Sequence, residues 1–398
     1  ERHQRLTDLL RRAGIPLNVR CGERGICRGC EVELTHGALI AHDRDGCVHA
    51  DGRPVLVRAC QCTLADTAAV GLRIPARSLM GHTPQVVSRF TLNVPRAHNP
   101  LWQLVTLRAE ELAGARDIGA AISHAVQQRL RTPHPVRCAP RSDAHPAPPV
   151  AGGHLAVALA YDGQTWHVTV TPDEVTRHRV GAAVDIGTTT VVVLLVDLAD
   201  GAILAEAAGF NRQMQFGDDV VTRIGLCAAD PAMVHQLQAA ILDTTLGPLL
   251  HEALRAAQRD AADLACVTIA ANTTMLHLYA GVNPGPMGTA PFTPAFLEHR
   301  VLRQTFGPAP APATPPTDEH AAPAAHLLPS AAAYVGADVC AGVLASGLVY
   351  DDGPALLVDV GTNGEIVLKH EGRMLGCATA AGPAFEGSGL SCGVRAVN

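Results

Sequence analysis

Val184-Asp185-Ile186-Gly187-Thr188-Thr189-Thr190-Val191-Val192-Val193 decides the fold, because Val358-Asp359-Val360-Gly361-Thr362-Asn363-Gly364-Glu365-Ile366-Val367 repeats its pattern later in the chain. Each stretch is an apolar β-branched run, an Asp, a Gly-Thr turn of small residues and a second β-branched run. That pattern predicts a strand–turn–strand hairpin with a carboxylate at its rim. Small turn residues let backbone N–H groups point into open space, where they cradle an anion such as a phosphate. Asp185 and Asp359 are then placed to hold a divalent metal, through water in the case of Mg²⁺, which sheds its hydration shell reluctantly. One such turn is most simply a buried hairpin. Two imply a duplicated fold closing on one ligand, and nucleotide phosphate suits both turns.

The pair resembles the first and second phosphate motifs of the actin, sugar-kinase and heat-shock-chaperone ATPase superfamily (ASKHA), whose two related subdomains clamp ATP and Mg²⁺. No Gly-Lys-Ser/Thr follows either glycine turn, so this is not a Walker A loop. The resemblance implies that Gly187, Thr188, Thr189 and Thr190, with Gly361, Thr362, Asn363 and Gly364, hold phosphate. It implies that Asp185 and Asp359 position Mg²⁺ or the attacking water. Glu365 either orients that water or pairs across its hairpin. Val267–Ala270 is a buried strand ending at Ala271-Asn272-Thr273-Thr274-Met275. Polar residues at a strand end mark a ligand site in α/β sheets, yet Asn272 would equally serve as a helix cap. Asp338, in the glycine-spaced run Tyr334–Gly342, either faces the nucleotide or caps a helix.

A second motif lies near the start. Cys21-Gly22-Glu23-Arg24-Gly25-Ile26-Cys27-Arg28-Gly29-Cys30 is C-x5-C-x2-C, with Cys60 following from the run Val55–Ala59. Plant-type ferredoxins hold a 2Fe–2S cluster with C-x4-C-x2-C and one distant Cys. Thiolates suit soft iron, and glycines let the loop wrap closely. A zinc ribbon would require a second C-x2-C, whereas the chain offers Cys60-Gln61-Cys62. The metal ligands are therefore expected to be Cys21, Cys27, Cys30 and Cys60, with Cys62 as the competing fourth ligand.

At 398 residues and 47% hydrophobic content, the chain supports several domains with substantial cores. A net charge of −6 without a basic block argues against nucleic-acid binding. No apolar stretch is long enough for a membrane span, and no secretory leader opens the sequence. Twelve cysteines without a pairing pattern point to a reducing cytoplasm.

The expected organisation is α/β and α+β multidomain. Residues 1–95 form a β-grasp, ferredoxin-like 2Fe–2S domain and 96–131 a helical connector, from the spacing of Leu101, Leu104, Leu107, Leu112, Ile118, Ile122, Val126 and Leu130. Residues 132–178 form a small middle domain with a Pro-rich linker. Residues 179–398 form an ASKHA body, actin/sugar-kinase-like and ribonuclease H-like. The chain begins at Glu1 and ends in a Gly-rich motif at Asn398, so a truncated body lacking its C-terminal part is expected.

This order resembles the reductive activators of corrinoid proteins. The resemblance is carried by the Cys21–Cys60 motif, AVDIGTTTVVVLLVDL, FGDDVVTRI, ANTTMLHL, APFTPAF, YVGADVCAGVL, VDVGTNGEIVL and GPAFEGSGLSCG. Family cluster loops commonly read Gly-Gly-Lys-Gly-x-Cys-Gly-Lys-Cys; Glu23, Arg24 and Arg28 depart from that here. The resemblance implies an ATP-coupled activator that passes an electron from a 2Fe–2S cluster to the Co(II) of a corrinoid protein, regenerating Co(I) for a methyltransferase. The implied cofactors are the cluster, ATP and Mg²⁺. The implied partners are a corrinoid protein and an electron donor, and the family resemblance is compatible with a homodimer. The alternative is a 2Fe–2S electron-transfer or redox-sensing protein with a non-catalytic ASKHA scaffold. A sugar-type kinase would leave the cluster without a purpose.

Overall fold

The computed structural model describes residues 4–15, 17, 19, 23, 25, 28–44, 46–50, 52–65, 69–75, 78–79, 98–138, 153–170, 179–217, 219–303, 306, 323–361 and 363–379. Cys21, Cys27, Thr362 and the GPAFEGSGLSCG motif lie outside them.

Leu6 and Leu10, one helical turn apart, bury one face of α1 (Leu6–Arg12), and Gly14 follows at φ +75, a left-handed conformation suited to a helix end. Two small sheets follow. They are built from β1 (Glu31–His36), β2 (Ala38–Ala41), β3 (Gly46–His49), β4 (Val55–Arg58), β5 (Cys62–Leu64) and β6 (Gly71–Arg73), in the orders β4-β1-β6 and β3-β2-β5. Val32 and Leu34 point inward from β1 at the two-residue period of a strand and share a core with Leu6, Cys30, Cys60 and Cys62.

The next unit contains β7 (Trp102–Arg108), α2 (Ile118–Leu130), β8 (Val136–Cys138), β9 (His154–Tyr161) and β10 (Trp166–Val170), with sheet order β7-β9-β10-β8. The helical connector expected over 96–131 is corrected here: only its second half is an α-helix. The three-residue spacing of Leu101, Leu104 and Leu107 imitates a helix. Val105 and Leu107 nevertheless pack inward while Leu104 and Thr106 are exposed, which is strand alternation. β7 pairs along its whole length with β9, so connector and middle region share one sheet and one core. This unit meets the following one through His98, whose Nε2 lies 2.8 Å from the Leu198 carbonyl. Arg179 also stacks on the Trp102 ring. Gly163 (φ +95) lies against His299, where an added Cβ would stand 2.2 Å from the ring.

The largest sheet is built from β11 (Val180–Ile186), β12 (Thr190–Asp197) and β13 (Ile203–Phe210), then α3 (Val220–Ala229), α4 (Ala232–Ile241) and α5 (Gly247–Ala256). β14 (Leu264–Ala271), α6 (Thr273–Tyr279), β15 (Arg300–Arg303) and β16 (Ala324–Leu327) complete it, in the strand order β13-β12-β11-β14-β16-β15. The first three strands form an antiparallel meander, and β14 and β16 run parallel to β11. Val184, Ile186, Val191, Val193 and Leu195 are buried with Val267 and Ile269. After α7 (Ala337–Ala345), a second meander follows: β17 (Ala355–Val360), β18 (Gly364–His370) and β19 (Arg373–Thr379). It repeats the connectivity of β11–β13. The copies differ in burial, since Leu356, Val358 and Val360 are exposed where Val184 and Ile186 are covered.

Candidate functional site

The first expected hairpin forms as anticipated, β11 joining β12 in the register Ile186↔Val191. Gly187 donates its N–H to the Thr190 carbonyl at 2.9 Å, and an added Cβ there would stand 2.6 Å from that oxygen. Only glycine closes this turn without displacing backbone.

The turn is held from behind. Asn211 Nδ2 donates to the Gly187 carbonyl at 2.9 Å, and Arg223 Nη2 to the Thr188 carbonyl at 2.7 Å. The Asn211 N–H donates to the Thr189 carbonyl at 2.8 Å. In a planar trans peptide the C=O and the following N–H point opposite ways. Anchoring the Gly187 and Thr188 carbonyls on the protein side therefore aims the Thr188 and Thr189 N–H groups away from Asn211 and Arg223, as an anion cradle requires.

Arg223 and Asn211 are fully buried. Arg223 also donates to the Gly217 carbonyl and to Gln213 Oε1, at 2.8 and 3.0 Å. The FGDDVVTRI segment thereby acquires a structural meaning. Asp219 caps α3 by accepting from the Thr222 N–H at 2.7 Å, and α3 delivers Arg223 to the turn one helical step later. Sequence reasoning gave neither Asn211 nor Arg223 a role. An arginine in an otherwise apolar helical stretch was the available signal.

Asn272 takes the capping role and also touches the first turn. Its Oδ1 caps α6 by accepting from the Met275 N–H at 3.0 Å, while its Nδ2 reaches Thr188 Oγ1 at 3.1 Å. Gly336 packs on the same strand end, where a Cβ would lie 2.4 Å from Asn272 Cα, and so seats α7 beside the first turn. Asp338, in the first turn of α7, accepts from the Val339 N–H at 2.8 Å.

The second hairpin closes differently. Gly361 donates to the Asn363 carbonyl at 3.0 Å, a turn one residue shorter, and a Cβ on Gly361 would sit 3.5 Å from that oxygen, an ordinary contact. Asp359 and Glu365 are opposite each other across β17 and β18.

Asp185, Asp338, Asp359 and Glu365 thus converge, and no ion pair among the described residues involves any of them. Burial, then the charges of Asp338 and Asp359, push the Asp185 carboxyl up to about 6. The Asp185 side chain is nonetheless accessible to solvent. Burial, Asp338 and Asp359 likewise push Glu365 up to about 7, and burial raises Asp338. Among the described residues no three acidic, His or Cys side chains are close enough to ligate a metal directly. Beside Glu365, Asn363 and Asn272 opens a cavity of about 510 Å³ with Phe292 and Tyr334 on its wall.

At the other end, Cys30 and Cys60 are buried on neighbouring segments joined by the Ala59 N–H to Cys30 carbonyl bond at 3.1 Å. Glu23, Gly25 and Arg28, in the sequence leading to Cys30, all have positive φ. Two neighbouring buried thiols have the soft donor chemistry that iron–sulfur ligation uses. Cys62 lies on β5, fully buried and paired with Ala41 of β2.

Comparison with known proteins accords with this layout. The model of the RACo middle region matches residues 180–351, that of the C-terminal domain of RACo, the ASKHA domain, matches 353–398, and that of the 2Fe-2S iron-sulfur cluster binding domain matches 1–65. In three successive regions the chain is thus similar to parts of RACo and of 2Fe-2S proteins. A solved "Reductive activator for corrinoid,iron-sulfur protein" superposes with a TM-score of 0.65 at 27% identity, over 100% of this chain and 64% of that one. The corrinoid activation enzyme RamQ of Eubacterium limosum is 27% identical over 98% of this chain and 60% of its own length. A methylated-amine-specific corrinoid protein reductase of Methanosarcina barkeri is 42% identical over 62 residues, 16% of this chain and 12% of its own. The chain thus spans less than two thirds of the activator and of RamQ. The expected loss of the C-terminal part, and with it the description of the ASKHA body as truncated, is corrected: the C-terminal domain of RACo is represented at 353–398. Ferredoxin-like and ASKHA-like regions occur together in one multidomain α/β chain, which fits cluster and nucleotide binding. Among the described residues, no helix is long and apolar enough to cross a membrane.

Proposed function

We propose that this chain couples ATP to the reductive activation of a corrinoid protein, delivering an electron to Co(II) to restore Co(I) for a methyltransferase. The observation that carries this reading is the combination, in one chain, of a region matching a 2Fe-2S cluster binding domain with four mutually repelling carboxylates near two glycine turns, the first of which is anchored from behind.

Cys21, Cys27, Cys30 and Cys60 hold the cluster, which supplies a one-electron donor of about −400 mV for a plant-type centre. Gly187, Thr188, Thr189 and Thr190 take one part of the triphosphate, and Gly361, Thr362, Asn363 and Gly364 take another. Asp185 and Asp359 bind the water shell of Mg²⁺, which relieves the repulsion among the carboxylates. Glu365, raised towards neutrality, accepts a hydrogen bond from the water that attacks phosphate. Asn272 and Asp338 keep the first turn and α7 in register. Closing two related lobes on ATP favours one conformer by the difference in its affinity for the two. The favoured conformer would be the one in whose complex the partner's cobalt is easier to reduce. A cytoplasmic location suits the exposed thiols and the low-potential donor.

The test measures ATP hydrolysis and Co(I) absorbance with a low-potential reductant and a Co(II)-corrinoid protein. Stimulated hydrolysis together with ATP-dependent Co(I) is expected. Co(I) formation indifferent to ATP would favour the simpler electron-transfer protein, and purified protein carrying zinc instead of iron would end both readings.

A further inference from the structure

Gln61 ends the short 3₁₀ turn Ala59–Gln61 that carries Cys60, and its side-chain amide reaches back over the cysteine loop. Nε2 donates to the Glu23 carbonyl at 2.8 Å and lies 3.6 Å from Cys60 Sγ, within reach of an N–H···S bond. A primary amide carries two hydrogens, so one nitrogen serves both acceptors. The loop is shaped around this amide. Gly25 sits at φ +76, and a Cβ there would meet the Gln61 side chain at 2.8 Å. Other side chains hold the loop without touching sulfur: Arg5 and Arg11 grip the Glu23 carboxylate at 3.0 and 2.9 Å, and Arg58 donates to the Gly25 carbonyl.

We infer that Gln61 tunes the reduction potential of the cluster by donating a hydrogen bond to the Cys60 sulfur from the same nitrogen that pins the loop at Glu23. This rests on the reading of Cys60 as a cluster ligand. Reduction adds negative charge that the cluster shares with its thiolates. An N–H aimed at one sulfur stabilises the reduced state more than the oxidised one and raises the potential. Being uncharged, the amide does this without attracting counter-ions to the loop.

The experiment uses the full chain with its iron–sulfur content quantified, comparing wild type with Gln61→Met, which keeps length and bulk but has no donor, and Gln61→Glu. In potentiometric titrations followed by EPR, Gln61→Met is expected to retain its spin count while the oxidised-to-reduced ratio at fixed poise rises about threefold to tenfold, tenfold being about 59 mV for one electron. Gln61→Glu should shift further the same way, because it adds a negative charge. An intact cluster at the wild-type potential in Gln61→Met would overturn the inference. If that variant loses iron, wild type labelled with side-chain ¹⁵N-glutamine decides by pulsed EPR of the reduced cluster. A weak ¹⁵N coupling supports the bond and its absence rejects it. A wild-type protein that binds no cluster would instead remove the underlying reading, an outcome visible before any variant is made.

Discussion

Asp359 and Glu365 are direct partners across the β17–β18 hairpin, so the second glycine turn is bracketed by two carboxylates on one face of its sheet. Like charges directly opposite in a sheet destabilise it, and here Asp338 and Asp185 add to them. That repulsion costs stability, and under the proposed function a bound cation would offset it.

A pH dependence follows. Glu365 is raised to about 7 and Asp185 to about 6, while the unfolded chain releases these protons near the ordinary carboxylate values of about 4. Between those limits the native state binds more protons, so stability falls as pH rises, and the loss is complete above about 7. Each group contributes roughly 1 kcal/mol after allowance for solvent screening. Without ligands, the melting temperature should drop from pH 5 to pH 8. Glu365→Gln and Asp185→Asn should flatten that slope, and Mg²⁺ with ATP should reverse it. A slope unchanged in both variants would contradict the like-charge account.

The two glycine turns are not equivalent, and substitution should separate them. Gly187→Ala puts a methyl 2.6 Å from the Thr190 carbonyl and must open the first turn, whereas Gly361→Ala meets only an ordinary contact. Nucleotide affinity by calorimetry should fall at least about tenfold in the first, about 1.4 kcal/mol, and less than about threefold in the second. Equal losses would show that the turns bear equally on the ligand.

Arg223 provides a third test. Removing it leaves the Thr188, Gly217 and Gln213 acceptors in a buried site without their donor. Arg223→Met should cost roughly 2–4 kcal/mol in denaturant unfolding. Arg223→Lys should recover only part of it, since a single ammonium does not reproduce the planar fork. Nucleotide binding measured below the unfolding transition should weaken in both. Normal affinity in a folded Arg223→Met protein would show that the rear anchor is structural only.

The glycine turns and the cysteine loop announced themselves because their constraints are local: a turn needs small residues, and a cluster needs thiols at close spacing. Asn211 and Arg223 act on the first turn from the end of β13 and from α3, and nothing in their immediate neighbours marks them as donors to carbonyls of residues 187 and 188. Asp338 lay open between two roles because only the packing of Gly336 on Asn272 places α7 beside the turn. The misassigned helix over 101–108 has a related cause. Leucines three apart fit a helix, and only the partner strand β9 discloses which of them face inward.

The cysteines allow the last test. Cys60 lies on the 3₁₀ turn, tied to Cys30 through the Ala59 bond, whereas Cys62 is a strand residue of β5 paired with Ala41 of β2, although all three thiols are buried in the N-terminal core. A strand residue locked by its ladder cannot swing to a metal without breaking the pairing at Ala41 and Ile40. Cys62→Ala should therefore retain full iron and the visible absorbance of the cluster, losing only the stability of a small buried side chain, about 1 kcal/mol. Cys60→Ala should lose the cluster. The comparison is made by iron content and absorbance after anaerobic purification. Loss of iron in Cys62→Ala with retention in Cys60→Ala would exchange their roles and would also remove the sulfur to which Gln61 is argued to donate.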